Sequence, residues 1–211
     1  PEPRSSGVSG QQASELLSDL AAVHPLPATP YLFLACLVAG LLVAAWGVWI
    51  WGLAGWHAQP VFVRVLLFGA IAMSLVTSAF GLAAEMIPGS RKTMPLGWGA
   101  GIPAAIFLAT VLIAFNRNYP FDLGPANRSC FELTLVVAAI ALPFVYVAIR
   151  RGALLNRYSA AIHVSTVLAS VSFLVLTLHC PVLNISHFLT AHFSALVLIL
   201  AAGAVAGKAL R

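Results

Sequence analysis

The chain has 211 residues, of which 61% are hydrophobic and only 8% are charged. Soluble domains carry about 25% charged residues, and a mean hydropathy of +0.97 reflects more apolar surface than one buried core can hold. A soluble single-core protein is therefore excluded. The net charge of +5 would favour nucleic acid in a soluble protein. Here the basic residues lie in short loops between apolar stretches, so no direct nucleic-acid partner is predicted.

Residues 1–30 form the first predicted unit, a polar N-terminal segment. Residues 1–10 are predicted to be disordered, and the apolar residues after them recur at helical spacing. This pattern predicts a short amphipathic helix that ends at a proline-rich stretch. The helix has acidic but no basic residues, which favours a groove on a protein partner over anionic lipid. Its predicted partner-binding face consists of Leu16, Leu17, Leu20 and Val23.

Six apolar stretches follow, each close to the roughly 20 residues that a membrane-spanning helix needs. They predict an all-α polytopic membrane protein in which residues 31–211 form a six-helix transmembrane domain surrounded by the lipid bilayer. The predicted spans are residues 31–53, 62–84, 96–115, 131–149, 160–178 and 188–206.

The orientation of these spans follows from the basic residues, which accumulate in cytoplasmic loops. Of the 11 Lys and Arg residues, eight lie on the same side as the N-terminus and three on the other side. The strongest marker is the pair Arg150 and Arg151, between the fourth and fifth spans. We therefore expect a multi-pass protein of the bacterial inner membrane with both termini in the cytoplasm.

Two cysteines are placed at the outer face by this topology. Cys130 precedes the fourth span and Cys180 follows the fifth, so the thiols could meet in an oxidising compartment if these spans are neighbours. A helix N-terminus and Arg128 favour a thiolate at Cys130, although Glu132 opposes it. Cys130 is thus the expected attacking thiol and Cys180 the resolving one. Alternatively, both are small buried hydrophobic residues, as expected for Cys36.

Histidines near Cys180 offer a second kind of chemistry. Cys130, Cys180, His179 and His187 form a candidate set of ligands for zinc, cadmium or another soft metal ion acting as a transient signal. No resident cofactor is predicted, because the spacings match no compact metal motif. His192 follows His187 by five residues, which does not place the two on one face of an α-helix. The alternative is that water or carbonyl groups satisfy these imidazoles.

Catalytic signatures are missing from the sequence. There is no phosphate-binding loop, no HExxH motif and no nucleophile–base pair, so we do not predict an enzyme. A membrane thiol oxidoreductase remains an alternative, although such proteins usually carry a C-x-x-C motif or a second cysteine pair. A metal-binding or transport subunit is a further alternative, but few polar residues lie within the predicted spans.

Several short runs, spread over nearly the whole chain, resemble one known family. The most specific run is Leu178-His179-Cys180-Pro181, which is followed by His187 and His192. With the six spans, these features resemble the NrsF-type membrane anti-sigma factors, which are negative regulators of F-group extracytoplasmic-function sigma factors. The other matching runs are Glu15-Leu16-Leu17-Ser18-Asp19-Leu20, Val23-His24-Pro25-Leu26 and Cys130-Phe131-Glu132.

The resemblance implies a function that composition and spacing do not reveal. The cytoplasmic N-terminal segment would hold an extracytoplasmic-function sigma factor inactive at the membrane. Outer cysteines would report oxidants or thiol-reactive heavy metals, and the sigma factor would then be released. The residues suit both peroxide chemistry and capture of a soft metal, so the stimulus stays open at this point.

Overall fold

The computed structural model describes residues 29–86, 126–149, 156–182 and 185–209. Within these ranges the chain is helical, with short connections and no strand. The predicted N-terminal amphipathic helix and the predicted span 96–115 lie outside the described residues. In chain order the helices are α1 (Thr29–Trp51), α2 (Ala54–Ala58), α3 (Val61–Glu85), α4 (Ala126–Ile149), α5 (Arg157–His179), α6 (Ile185–His187), a π-helical turn (Phe188–Phe193) and α7 (Ser194–Ala209).

Five helical segments in the described part of the chain are long and apolar enough to cross a membrane. They cover Pro30–Trp51, Val61–Glu85, Arg128–Val147, Arg157–His179 and Phe188–Ala209. Five of the six predicted spans are thereby confirmed as helices, with ends that differ by a few residues. Large apolar side chains such as Trp49 and Val65 are exposed, as expected for helices that face lipid. These properties indicate a membrane protein.

Helix α5 lies at the centre of the described bundle. It is the most buried of the five spans and packs against α1, α3, α4 and α7. Glycines on its neighbours allow this close packing. A Cβ atom at Gly47 of α1 would come within 2.8 Å of Val175, and one at Gly81 of α3 within 2.3 Å of the His163 ring. Small residues at helix contacts let backbones approach closely in membrane proteins.

The contacts along α5 also define the direction of each helix. Residues further along α1 contact residues further along α5, so α1 and α5 are parallel. Residues further along α3 or α7 contact residues earlier in α5, so these two helices are antiparallel to α5. The N-terminal end of α1 and the C-terminal end of α7 therefore lie at the end of the bundle opposite Cys180. The pairs concerned are Gly40–Val171 and Gly47–Val175 for α1, Ser74–Ser170 and Gly81–His163 for α3, and Gly203–Ser165 and Gly207–Tyr158 for α7.

Candidate sensor site

Cys130 and Cys180 are in contact at one end of the bundle. Their Sγ atoms lie 3.6 Å apart, which is hydrogen-bonding distance for sulfur and longer than the roughly 2.05 Å of a disulfide. Both thiols are free; Cys180 is buried and Cys130 is partly buried. The spans that carry them, α4 and α5, are therefore neighbours and antiparallel, and a modest movement would allow a covalent bond.

The local sequence explains the position of Cys180. Its backbone N–H donates to the carbonyl of Leu176 and closes the last turn of α5. The residue itself has extended backbone angles, φ −78° and ψ 114°, because the following Pro181 disfavours a helical conformation at the preceding position. Cys180 therefore ends the helix and turns out of its axis. Contact with Cys130 and burial raise the pKa of the Cys180 thiol, so this thiol keeps its proton at neutral pH.

Cys130 lies in the first turns of α4, where the helix dipole favours a thiolate. Its carbonyl accepts a hydrogen bond from the hydroxyl of Thr134. The neighbouring Arg128 donates from Nε to Oε1 of Glu132 at 2.7 Å, and both side chains are exposed. The guanidinium is thus paired with the carboxylate.

Two histidines complete a cluster with these thiols. Nε2 of His187 lies 3.2 Å from Sγ of Cys180 and 3.2 Å from Nε2 of His192. The donor atoms of Cys130, Cys180, His187 and His192 all lie within 4.8 Å of one another. Burial lowers the pKa of His187, so its imidazole is neutral at pH 7. This set, here called the Cys₂His₂ cluster, offers four neighbouring donor atoms.

A π-helical turn brings the two histidines together. The turn covers Phe188–Phe193, and the backbone N–H of Ser194, directly after it, donates to the carbonyl of Leu189, five residues earlier. In an α-helix five residues advance about 140° beyond a full turn, which separates the side chains. The wider turn closes after five residues instead, so His187 and His192 lie on one face. π-helical turns of this kind are frequent at functional sites.

The predicted ligand His179 lies outside this cluster. Its Nδ1 is 2.6 Å from the carbonyl oxygen of Trp51 and donates a hydrogen bond to it. His179 is the last residue of α5, and the chain turns at Cys180, so the two consecutive side chains point in different directions. His57, in α2, is exposed.

The C-terminal end of α5 is held from the side by α2 and the residue that follows it. Nε2 of Gln59 donates to the carbonyl of Thr177 at 2.9 Å, and the contact is buried. A Cβ atom at Gly55 would lie 2.5 Å from the Thr177 oxygen and 2.6 Å from the Cys180 oxygen. The backbone that carries Cys180 is therefore positioned by direct contact with α2.

A comparison with protein families gives one match. The family model described as NrsF, negative regulator of sigma F, matches residues 16–211. The chain belongs to the NrsF family. No curated protein and no solved structure matches it. The family description indicates negative regulation of a sigma factor, which agrees with the regulatory role expected from the sequence and implies a sigma-factor partner.

The NrsF match includes all four residues of the Cys₂His₂ cluster and begins at Leu16, in the predicted partner-binding face. That face lies outside the described residues. The sequence placed Cys130, Cys180 and His187 in one candidate ligand set. It put His192 near Cys180 but left it out of that set because of its spacing from His187. The signal that could have found it was the five-residue spacing itself, since a π-helical turn places such residues side by side.

Proposed function

We propose that this NrsF protein is a membrane anti-sigma factor that holds an extracytoplasmic-function sigma factor at the bacterial inner membrane. Binding is through the cytoplasmic segment 1–30, and release follows a reaction of Cys130 and Cys180 on the outer side. The observation that carries this proposal is the 3.6 Å contact between the two sulfurs, at the end of the bundle opposite the described chain ends. A reaction of the two thiols on the outer side could therefore change how the protein binds a partner on the inner side.

Peroxide chemistry fits the two thiols. The Cys130 thiolate attacks one peroxide oxygen, forms a sulfenic acid and releases hydroxide. The Cys180 thiol then attacks that sulfur, and the hydroxyl group leaves with a proton as water. Two electrons pass from the sulfurs to peroxide, and one disulfide remains. The raised pKa of Cys180 argues against this thiol as the first nucleophile, which must be a thiolate. Cys180 therefore takes the second role, in which its proton departs with the leaving hydroxyl group as water.

A bond between the sulfurs would bring them about 1.5 Å closer than they are now. This movement pulls the N-terminal end of α4 against the C-terminal end of α5. Because α5 packs against every other described span, a shift of this helix would displace residues on all four of its neighbours. Signal transmission requires two packings of the bundle, between which the sigma factor discriminates.

The direction of the helices supports the proposed topology. Helices α3 and α4 both run antiparallel to α5 and therefore run in the same direction, as their contacts with it indicate. Two consecutive described spans with the same direction fit a sixth span between them, as predicted for residues 96–115. An even number of spans would place both termini on one side, where the sigma factor is bound.

The partner-binding helix is the part of the proposal to test first. Leu16→Asp combined with Leu20→Asp should abolish sigma-factor binding, since each buried leucine contributes about 1.5–3 kcal/mol. Losing both corresponds to an affinity at least about 100-fold lower. The readouts are co-purification of the sigma factor with the full-length protein and expression of its target promoter, which should become constitutive.

A matched control adds the same charges to the polar face of the predicted helix. In the predicted helix Ser14 and Ser18 would lie opposite Leu16 and Leu20, so Ser14→Asp with Ser18→Asp should leave binding and repression intact. Unchanged repression in the double leucine variant, at normal protein level, would remove this helix from the mechanism.

A further inference from the structure

We propose that Cys130, Cys180, His187 and His192 form a closed, four-coordinate site for a single tetrahedral metal ion of the zinc type. The chemical class comprises Zn²⁺, Cd²⁺ and Cu⁺, which have filled d shells and accept thiolate and imidazole ligands. Metal binding needs only these four side chains. Its regulatory consequence rests on the proposed anti-sigma function.

The distances in the Cys₂His₂ cluster correspond to the edges of a coordination tetrahedron. With Zn–S bonds of about 2.3 Å and Zn–N bonds of about 2.05 Å, two sulfurs lie about 3.8 Å apart, sulfur and nitrogen about 3.6 Å, and two nitrogens about 3.3 Å. The observed separations are 3.6 Å for the two sulfurs, 3.2 Å from Cys180 to His187 and 3.2 Å between the imidazoles. The widest pair, at up to 4.8 Å, needs to close by about 1 Å.

The donor atoms select the ion. Two sulfurs and two imidazole nitrogens in tetrahedral arrangement favour zinc-like ions over Mg²⁺ or Ca²⁺, which prefer oxygen ligands. The nearest acidic side chain along α4, Glu132, is exposed and paired with Arg128. All four coordination positions are supplied by protein, which is the arrangement of a structural site rather than a catalytic one.

The burial of His192 is an independent observation that points to a ligand. The side chain is 4% exposed, its ring contacts Phe173 and Phe188, and Nδ1 has no hydrogen-bond partner in the described part of the chain. Nε2 faces a second imidazole. Coordination through Nε2 would replace this single imidazole–imidazole hydrogen bond with a metal–nitrogen bond, while Nδ1 carries the proton of the neutral ring.

The π-helical turn gives this site a structural basis. It places His187 and His192 side by side, shortly after Cys180 in the chain. One short segment therefore supplies both nitrogen ligands next to the two sulfurs. π-helical turns are rare in proteins, and this one has a clear consequence in the position of His192. With an α-helical turn at the same place, the second imidazole would point away from the thiols.

Metal binding would connect more of the bundle than a disulfide can. The bound ion takes both sulfurs as thiolates, which releases the proton of Cys180. It joins Cys130 near the start of α4, Cys180 at the end of α5, and the two histidines at the start of the last span. A disulfide joins only α4 and α5. The two reactions use the same sulfurs, so a bound metal ion should protect both thiols from peroxide.

The test uses the reduced, metal-free full-length protein in detergent, titrated with Co²⁺ and then with Zn²⁺. Cobalt in a tetrahedral thiolate–imidazole site gives sulfur-to-metal charge-transfer absorption and intense visible bands. We expect these bands to saturate at one Co²⁺ per chain and to disappear when Zn²⁺ displaces it. His192→Ala and the nearly isosteric His192→Gln should each weaken binding at least about tenfold, since even residues that only support a metal ligand contribute that much.

The matched control is His179→Ala, next to Cys180 in sequence but hydrogen-bonded to the Trp51 carbonyl instead. It should keep the wild-type spectrum and affinity. Absence of the charge-transfer absorption in the wild type would overturn the proposal. So would unchanged affinity in both His192 variants, provided that they elute as the folded protein. Sigma-factor co-purification is measured separately with the metal-free protein, and Leu16→Asp with Leu20→Asp should lose the partner but keep the cobalt spectrum.

Discussion

Cys130 and Cys180 touch, yet their surroundings give them different chemistry. Cys130 lies in the first turns of α4, near the positive end of the helix dipole, and is partly exposed. Cys180 ends a helix, is buried, and has a raised pKa because of its contact with Cys130 and its burial. This difference fits the proposed stepwise oxidation, in which only the first step, at the partly buried Cys130, requires access from solvent.

Serine in place of either thiol should block induction without affecting repression. In Cys130→Ser and Cys180→Ser the hydroxyl cannot form a disulfide and is a poor ligand for soft metals, while the segment 1–30 is unchanged. The promoter controlled by the sigma factor should therefore stay at its uninduced level under peroxide or cadmium. Mass mapping of alkylated membranes checks the pairing directly, as a Cys130–Cys180 link in the oxidised wild type.

The control is Cys36→Ala. Cys36 is fully buried in the core within α1, on the half of the helix remote from the sensor site, and should keep normal induction. A normal response of both serine variants to peroxide and to metal would show that the thiols are packing residues.

Helix α2 is short but has a large effect on the site. Its five residues fill the space beside the end of α5, with Gly55 against the backbone oxygens of Thr177 and Cys180. Gln59, directly after the helix, adds a buried hydrogen bond to the Thr177 carbonyl. A side chain at position 55 would have to displace backbone atoms, which cannot move without shifting Cys180.

Gly55→Ala should therefore destabilise the protein and disturb the sensor site. Overpacking of this kind costs about 1–3 kcal/mol. We expect a lower thermal unfolding midpoint in detergent and faster maleimide labelling of Cys180. The matched substitution is Gly69→Ala in α3, where a Cβ atom meets nothing within 4 Å; it should be neutral or stabilise by about 0.5–1 kcal/mol. Identical behaviour of the two variants would contradict the contact of α2 with Cys180.

The described helices form a bundle whose two ends carry different features. The Cys₂His₂ cluster lies at one end, and the N-terminal end of α1 and the C-terminal end of α7 lie at the other. Helix α5 connects them, with Cys180 after its last turn and the packing of His163 against Gly81 near its first turns. The proposed function, with a sensor on one side of the membrane and a bound partner on the other, requires this separation.

The topology can be tested with reporter fusions. A fluorescent protein fused after Arg211 should be active, and alkaline phosphatase at that position inactive, because the distribution of basic residues predicts that both termini are cytoplasmic. Phosphatase inserted between Val182 and His187 should be active, as expected for the outer side. An insertion in residues 87–92 serves as an internal cytoplasmic control. Phosphatase activity at the C-terminus would overturn the placement of the thiols on the outer side.

The sequence alone determined the helical spans, because transfer of a helix into lipid depends on the summed hydropathy of its own residues. Five predicted spans coincide with helices of the described chain. The same local information put Cys130 and Cys180 at helix ends on one side, as alternation of spans requires. The central position of α5 was not predicted, since all spans are similarly apolar and only contacts between helices distinguish the buried one.

Only the tertiary structure decided which side chains meet at the sensor site. His179 precedes Cys180 directly but points to the Trp51 carbonyl, because α5 ends between the two residues. His192 was expected on a different face from His187, which holds for an α-helix, whereas the π-helical turn aligns them. Such a turn depends on packing against neighbouring spans, and a spacing rule that assumes one helix geometry cannot foresee it.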